Sequence, residues 1–435
     1  MTTQSLREIL LRDYDRSLDL DGFSGERLAE RLSAISQIGL TPEGGSQRLG
    51  YSRQETAAKE LASEWMRVAG LAMRTDAAGN RFGRLEGKDN SLPVVLCGSH
   101  LDTVPNGGHF DGVLGVLLAL EAVEMWKADG FAPQRPYEIA IFSEEEGSRF
   151  NVGLVGSSAV TGALPEDGFR SVTDHDGRSF ASAVAEAGLD LERFGEAKRD
   201  LSEIAAFVEV HIEQGLVLET KRLPVGIVTG ISGLVSLDMI VRGQAGHAGA
   251  TPMSYRCDAL VAASRMVVEI NELARRLSET AVATVGQLDV FPNGSNVIPG
   301  EVRFSVDMRD VDSASLKQQV EAVIEAAGRL AQEGKVELIC KKTLDLAPTH
   351  SDSGLRVKQA AAMREINLPA FELPSGAGHD AMLLGAHVPM AMFFVRSKGG
   401  ISHHPREFSS LDDCALAARV LSRFLMKRLS ETSGT

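Results

Sequence analysis

Four short apolar runs constrain the fold of this chain more than any other feature of its sequence. Runs of this kind occur in strands that are buried on both faces of a sheet. Between the first two runs lies "GVLGVLLALEAVEMW", which predicts a buried helix. The order strand, helix, strand predicts an α/β fold with a central sheet. The four runs are "LPVVLCG" at 92–98, "YEIAIFS" at 137–143, "AAFVEVH" at 205–211 and "PMAMFFVRS" at 389–397.

A different pattern occupies residues 231–345. "GLVSLDMIVRG" alternates like a strand, "SYRCDALVAASRMVVEINELARRL" is helical, and "AVATVGQLDVFPN" with "GEVRFSVDMRD" predicts a strand pair. "SASLKQQVEAVIEAAGRLAQEG" predicts an amphipathic helix ended by Gly334, before a last strand "KVELICKKTLDL". This order is that of a ferredoxin-like α+β module. We therefore expect a small domain, 231–345, inserted between the two parts, 1–230 and 346–435, of a larger domain.

Side chains that can bind metal follow the buried strands. In open α/β sheets ligands bind at the carboxyl ends of the strands, so distant sequence positions can converge there. Imidazole and carboxylate together suit zinc, manganese, cobalt or nickel, and five such ligands suggest two ions. Asp111, with one oxygen for each ion, would bridge them. The strand-end residues are His100, Asp102, Glu144, Glu145, Glu146, His211, Glu213, His403 and His404.

This chemistry indicates hydrolysis. Paired ions lower the pKa of a shared water and polarise a carbonyl, and an unligated carboxylate nearby can take the proton. The alternative for each residue alone is structural, since lone strand-end histidines and glutamate-rich turns commonly have no catalytic role. Their coincidence at four strand ends favours the metal site.

Composition narrows the choice of partners. The 435 residues carry 45 basic and 59 acidic side chains, a formal net charge of -14, which argues against nucleic acid or an anionic membrane as the main partner. Four scattered cysteines form no C-x-x-C pair, and no segment has the apolar core of a secretory signal or the length of a membrane span. We expect a cytoplasmic protein that acts on a small substrate.

Seven motifs in register resemble one family, over residues 25 to 428. The chain is similar to the dimetal N-carbamoyl-L-amino-acid hydrolases, β-ureidopropionases and allantoate amidohydrolases, which are related to aminoacylases and di-zinc carboxypeptidases. The resemblance implies a di-zinc-peptidase-like catalytic domain with a mixed central sheet. The motifs are "GSHLDTVPNGGHFDG", "SEEEGSRF", "VEVHIEQG", "GHAGATPM", "NGSNVIPGEVRFSVDMRD", "LPSGAGHDAM" and "GISHHPREF".

The resemblance also implies roles for the strand-end residues. Glu145 would be the general base. Asp102 would accept an imidazole N–H of His100 and fix its tautomer, with a turn cap as the alternative. His404 is a second possibility for the last ligand, because the family more often has a non-histidine after the first histidine of this motif. The implied metal ligands are His100, Asp111 as the bridge, Glu146, His211 and His403.

Other residues would bind substrate by the same resemblance. Arg309 would hold a carboxylate with its planar guanidinium, and His247 would stabilise a developing oxyanion. Asn296 and Gln214 would contact substrate, and a turn or cap role is the alternative for all four of these residues. His379 is a further candidate for substrate contact, but its role and that of Asp380 are left open, and His109 is interpreted as a loop residue.

The resemblance implies an amidohydrolase that cleaves the ureido C–N bond of an N-carbamoyl-L-amino acid or N-carbamoyl-β-alanine. It also implies two divalent metal ions per subunit, and a homodimer in which the inserted domain provides the dimer contact and a lid. Allantoate amidohydrolase is the nearest alternative, because the motifs do not separate the two activities. An aminoacylase or peptidase, and a non-catalytic binding protein on the same scaffold, are further alternatives.

Overall fold

The computed structural model describes residues 5–164, 169 and 172–432. The chain divides into two compact units. The first comprises Met1–Thr229, Ser351–Leu373 and His379–Thr435, and the second comprises Gly230–His350 and Pro374–Gly378. Within the described ranges, no helix combines the length and the apolar character that crossing a membrane requires.

The chain enters the first unit through helices and then forms most of its sheet. In chain order the elements are α1 Leu6–Arg12, α2 Gly25–Gln37, α3 Arg53–Val68, β1 Ala72–Thr75, β2 Arg81–Leu85, β3 Val94–His100, α4 Val113–Asp129, β4 Tyr137–Phe142, α5 Val155–Thr161, α6 Phe180–Glu186, β5 Ile204–Ile212, α7 Val217–Lys221 and β6 Val225–Ile231.

The second unit follows, and the chain then returns to the first. The elements of this part are β7 Gly233–Arg242, β8 Gly246–His247, α8 Ala259–Leu277, β9 Val282–Thr284, β10 Leu288–Phe291, β11 Val297–Ile298, β12 Glu301–Asp310, α9 Ser313–Gly334, β13 Glu337–Leu346, β14 Thr349–His350, α10 Ser353–Glu365, β15 Glu372–Ser375, α11 Asp380–Gly385, β16 Met390–Val395 and α12 Leu411–Leu429.

The sheet of the first unit is mixed, which confirms the predicted α/β fold. Its strands lie in the order β1-β2-β4-β3-β5-β16-β6. β3 runs parallel to β4 and to β5, and β16 runs parallel to β5. β1, β2 and β6 extend this sheet with antiparallel pairs. The four predicted buried strands are the four parallel ones, so their carboxyl ends share one edge.

Burial explains why these strands are apolar throughout. Every residue of β3, β4 and β16 is buried, and α4 is buried along nearly its whole length because it packs between the sheet and α12. Two glycines allow close approaches within this unit. A Cβ on Gly98 would lie 2.1 Å from the carbonyl oxygen of Ala140 in β4, and a Cβ on Gly115 would lie 2.1 Å from that of Val210 in β5.

The second unit has its own antiparallel sheet, in the order β10-β12-β7-β13, with β9 also paired to β12. α8 and α9 share an apolar core with this sheet. Strands and helices follow one another along the chain in the order predicted for a ferredoxin-like module. Two predicted helix ends differ. α8 begins at Ala259, with Asp258 as its N-cap, rather than near Ser254. α9 includes Gly334, and Lys335 takes the left-handed conformation that the sequence assigned to the glycine.

The close approach at Gly98 predicts a destabilising substitution. Gly98→Ala should lower the free energy of unfolding by about 2 kcal/mol, because the methyl group must push β3 away from β4. Urea denaturation followed by circular dichroism measures this. Gly195→Ala is the matched control, since a Cβ there meets nothing within 4 Å, and it should change stability by less than about 0.5 kcal/mol. Equal stabilities for the two variants would contradict the prediction.

Candidate active site

Five ligand-type side chains converge at the carboxyl edge of the parallel strands. Within the described residues they form two groups whose ligand atoms lie within 4.8 Å of one another, and both groups contain Asp111. His100 ends β3 and His211 lies in β5. Glu146 follows β4, and His403 follows β16 after a short loop. The first group is His100, Asp111 and His211, and the second is Asp111, Glu146 and His403.

The two oxygens of Asp111 face different groups. Oδ1 lies 3.0 Å from Nε2 of His211 and 3.4 Å from Nε2 of His100. Oδ2 lies 3.4 Å from Nε2 of His403, and that nitrogen lies 3.4 Å from the Glu146 carboxylate. A carboxylate that presents one oxygen to each of two ligand groups has the geometry of a bridge.

The histidine tautomers also suit metal binding. Nδ1 of His100 lies 3.1 Å from the carbonyl oxygen of Asp102, and Nδ1 of His211 lies 2.9 Å from that of Ile212. A carbonyl accepts only from a protonated nitrogen, so Nδ1 carries a proton in each ring, and Nε2, the nitrogen near Asp111, is the one available to a metal. The buried Nε2 of His100 makes no hydrogen bond. This orphaned atom and the mixed imidazole and carboxylate set fit divalent metal ions.

Asp102 acts on this group differently from the prediction. Its carboxylate lies 3.5 Å from Nδ1 of His100, farther than its own main-chain carbonyl. The carboxylate instead accepts a hydrogen bond of 3.1 Å from the main-chain N–H of Glu146. Asp102 thus connects β3 to the turn that follows β4, rather than serving only as the partner of one imidazole.

Glu145 has the surroundings of a general base. Its carboxylate lies 3.6 Å from Nε2 of His100 and its side chain is 10% exposed. Burial raises the pKa of Glu145 well above its usual range, although His100 opposes the shift. A carboxylate with raised proton affinity beside paired ligand groups can accept a proton from water.

The three consecutive glutamates point in different directions. Glu144 is buried and has a φ of 49°, a left-handed conformation that is strained for this residue. Its carboxylate fills the space above Gly50, where a Cβ would lie 1.4 Å from Oε2. Glu144 is therefore neither a ligand nor the solvated turn residue that such a run commonly supplies. Burial raises its pKa well above the usual range.

Two residues that hold Asp111 were not predicted. Ser402 Oγ donates to Asp111 Oδ2 over 2.9 Å and lies 2.9 Å from the Glu407 carboxylate. The same carboxylate accepts from the main-chain N–H groups of Phe110 and Asp111, at 2.8 and 3.1 Å. Both residues belong to "GISHHPREF". Their position inside this motif is the one feature of the sequence that points to them.

Gln214 and His379, predicted to contact substrate, lie against the ligand groups. Gln214 Nε2 donates to Asp111 Oδ2 over 2.7 Å. The buried His379 ring lies 4.5 Å from that of His211, and burial lowers its pKa, with His211 adding to the shift.

Asp380 begins α11, and burial raises its pKa to about 8. His404 is outside both ligand groups, and its Nδ1 accepts from the main-chain N–H of Arg406.

The remaining predicted residues belong to the second unit. His247 in β8 is paired with Val297 in β11, next to Asn296. Its Nδ1 accepts from the main-chain N–H groups of Gly249 and Ala250, at 3.0 and 3.2 Å, so Nε2 carries the proton. The ring is exposed. His247 therefore presents a hydrogen-bond donor to its surroundings.

Arg309 is held in a fixed orientation within the same unit. Nε and Nη2 donate to the two oxygens of Asp307, at 2.8 and 3.0 Å. Nη1 donates to the carbonyl oxygen of Gly376 over 2.9 Å. The guanidinium is therefore already oriented, and the remaining N–H groups of Nη1 and Nη2 can donate to a substrate carboxylate.

Known proteins resemble the chain over nearly its whole length. Residues 96–427 match the family described as peptidase family M20/M25/M40. An N-carbamoyl-L-amino acid amidohydrolase of Geobacillus stearothermophilus is 45% identical over 397 residues, 91% of this chain and 97% of the relative. An allantoate amidohydrolase of Bacillus subtilis is 35% identical over 400 residues, which are 92% of this chain and 97% of the relative. The crystal structure of an amidase of the hydantoinase/carbamoylase family from Burkholderia multivorans superposes on this chain with a TM-score of 0.88. It is 34% identical in sequence, and the superposition covers 94% of this chain and 99% of the amidase chain.

His109 gives a prediction about pH. It contacts Ser46 Oγ over 2.7 Å and the Gly44 carbonyl oxygen over 3.1 Å, and burial, with Arg48 adding to the shift, lowers its pKa to about 4. The unfolded chain should bind this proton near the ordinary value of 6.5. The contribution of His109 to stability is therefore present above pH 6.5 and lost as the pH falls towards 4.

An NMR titration of the imidazole signals should show the His109 and His379 rings neutral at pH 5, because burial lowers the pKa of both. The variant His109→Gln should remove the His109 signal and so assign it. A midpoint for His109 near its ordinary value would contradict the prediction.

Proposed function

The chain belongs to peptidase family M20/M25/M40 and is an amidohydrolase, and from this premise we propose that it hydrolyses the ureido C–N bond of N-carbamoyl-L-amino acids. Cleavage of one ureido C–N bond leaves a carbamic acid, which releases carbon dioxide as its remaining C–N bond breaks, so the final products are the amino acid, carbon dioxide and ammonia. The relative with 45% identity, which carries that name, supports this substrate class. N-carbamoyl-β-alanine belongs to the same proposed class.

The single observation that carries the mechanism is the shared position of Asp111 between two ligand groups, beside a buried carboxylate that is free to act as a base. We propose that these groups bind two divalent metal ions. When bound, the ions supply a water of lowered pKa and a Lewis acid that polarises the ureido carbonyl.

Glu145 is the proposed general base. Its carboxylate takes a proton from the attacking water as the new C–O bond forms. Its carboxylic acid then donates that proton to the leaving nitrogen as the C–N bond breaks, so the base is regenerated. Burial keeps the proton on Glu145 between the two steps.

Substrate binding is proposed from the family resemblance. Arg309 holds the α-carboxylate through its free N–H groups, and His247 donates from Nε2 to the developing oxyanion. Gln214, Asn296 and His379 are proposed substrate contacts. The homodimer, and a lid or dimerisation role for residues 231–345, remain predictions that rest on the family resemblance.

Allantoate is the second candidate substrate, because an allantoate amidohydrolase is 35% identical over nearly the whole chain. It also carries a ureido group and a carboxylate, so the same residues would bind it. The difference lies in how the pocket receives a second ureido group. The identity of the metal ions, which we expect to be zinc, manganese, cobalt or nickel, does not separate the two candidates.

A substrate panel tests the proposed function. Ammonia release is measured with the metal-loaded enzyme on N-carbamoyl-L-amino acids, N-carbamoyl-D-amino acids, N-carbamoyl-β-alanine, allantoate and an N-acetyl amino acid. We expect the highest kcat/KM for an N-carbamoyl-L-amino acid. A large preference for allantoate would replace the first candidate with the second. Activity confined to the N-acetyl compound would indicate an aminoacylase.

Glu145→Gln tests the proposed base. Loss of a general base lowers kcat by about 1000-fold, whereas metal content should be unchanged because Glu145 belongs to neither ligand group. Asp111→Asn is the matched control, and it should lose bound metal as well as activity. Metal content is measured by mass spectrometry after gel filtration. A fully metallated Glu145→Gln enzyme with normal turnover would remove Glu145 from the mechanism.

A further inference from the structure

A buried ion pair lies in α3, near the turn that carries the three glutamates. Lys59 Nζ lies 2.5 Å from the Glu55 carboxylate. Both side chains are buried, with 5% of Lys59 and 2% of Glu55 exposed. The second oxygen of Glu55 accepts from the main-chain N–H of Tyr51. Charged groups are rarely buried so completely unless they are paired. Neither residue is part of the proposed chemistry.

Lys59 also reaches Ser143, the residue that follows β4 and precedes the three glutamates. Nζ donates to Ser143 Oγ over 2.6 Å and to the Gly79 carbonyl oxygen over 3.3 Å. An ammonium group has three N–H donors, and Glu55, Ser143 and Gly79 accept all three. A shorter or uncharged side chain could not join these acceptors.

The backbone around Ser143 is fixed from both sides. Its N–H donates to the Asn80 side chain over 3.0 Å. Its carbonyl and the carbonyls of Glu144 and Glu145 accept from successive N–H groups at the start of α5, at 2.9, 3.1 and 2.9 Å. The strained φ of Glu144 lies inside this segment. A strained conformation persists only where its surroundings hold it.

We propose that Lys59 is a positioning residue for the reaction, which holds Ser143 and through it sets the direction of the Glu145 carboxylate. The inference rests on the proposed role of Glu145 as the base. Without the ammonium group, Ser143 Oγ loses its buried partner, and the Glu144 turn can relax towards an unstrained backbone. Glu145, two residues along, would then lose its alignment with the attacking water. Misplacement of a reacting group by about 1 Å lowers a rate by about 100-fold.

Two variants and a matched control test the proposal. Lys59→Met removes the ammonium group and keeps most of the apolar side chain, and Ser143→Ala removes only the acceptor and leaves the Lys59–Glu55 pair intact. Arg31→Met is the control, because Arg31 forms a similarly buried pair with Glu121 over 2.8 Å between α2 and α4. Each enzyme is measured on the best substrate of the panel, together with its metal content and thermal stability.

We expect kcat to fall by about 10- to 100-fold in Lys59→Met and by about 10-fold in Ser143→Ala, with KM and metal content unchanged. The double variant should be no slower than Lys59→Met alone, because both changes break one contact. Arg31→Met should lose stability and keep its kcat. A wild-type kcat in either variant, or losses that multiply in the double variant, would overturn the proposal.

A second readout does not depend on activity. Hydrogen exchange of the amides of residues 143–146 should be faster in Lys59→Met and Ser143→Ala than in wild type and in Arg31→Met. If the wild-type enzyme hydrolyses nothing in the panel, the proposed substrate is wrong and exchange alone decides this inference. Unchanged exchange in both variants would then overturn it. If Lys59→Met does not fold, Ser143→Ala gives the same two readouts.

Discussion

The concentration of buried negative charge at the edge of the sheet is the constraint on which the site depends. Asp102, Asp111, Glu144, Glu145 and Glu146 all lie at or near this edge, each with a side chain at most 10% exposed. Burial raises the pKa of Glu144 and Glu145, and raises that of Glu146 to about 8. Asp111 departs from this trend, because His211 and His100 hold its pKa well below the usual range in spite of its burial.

Such charges are tolerated only where cations or hydrogen-bond donors offset them. His100 and His211 can each donate from Nδ1 and keep Nε2 for a metal, which a protonated lysine cannot do. Lys59 offsets the charge of Glu144. The turn after β4 is thus close to both a proposed metal site and a buried ammonium group, and each of its three glutamates has different surroundings. The same residue type therefore supplies a core carboxyl, a proposed base and a proposed ligand in succession.

Much of the fold could be predicted because its signals are local. The apolar runs that became β3, β4, β5 and β16 are strands at the predicted positions, and the family resemblance is confirmed. The errors are local too. Asp258 caps α8 later than helical periodicity suggests, and Lys335 rather than Gly334 adopts the left-handed cap. Cap residues depend on backbone geometry over one or two positions, which periodicity does not resolve.

The sequence by itself determined the kinds of ligand and the strand ends that carry them, because residue type and apolar pattern are properties of neighbouring positions. Only the tertiary structure decided which atoms meet. Asp111 turns one oxygen to each ligand group, Asp102 binds the N–H of Glu146, and Lys59 bonds Ser143 across 84 positions of the chain. Contacts between such distant positions leave no periodic trace in the sequence, since the packing of the sheet against its helices brings them together.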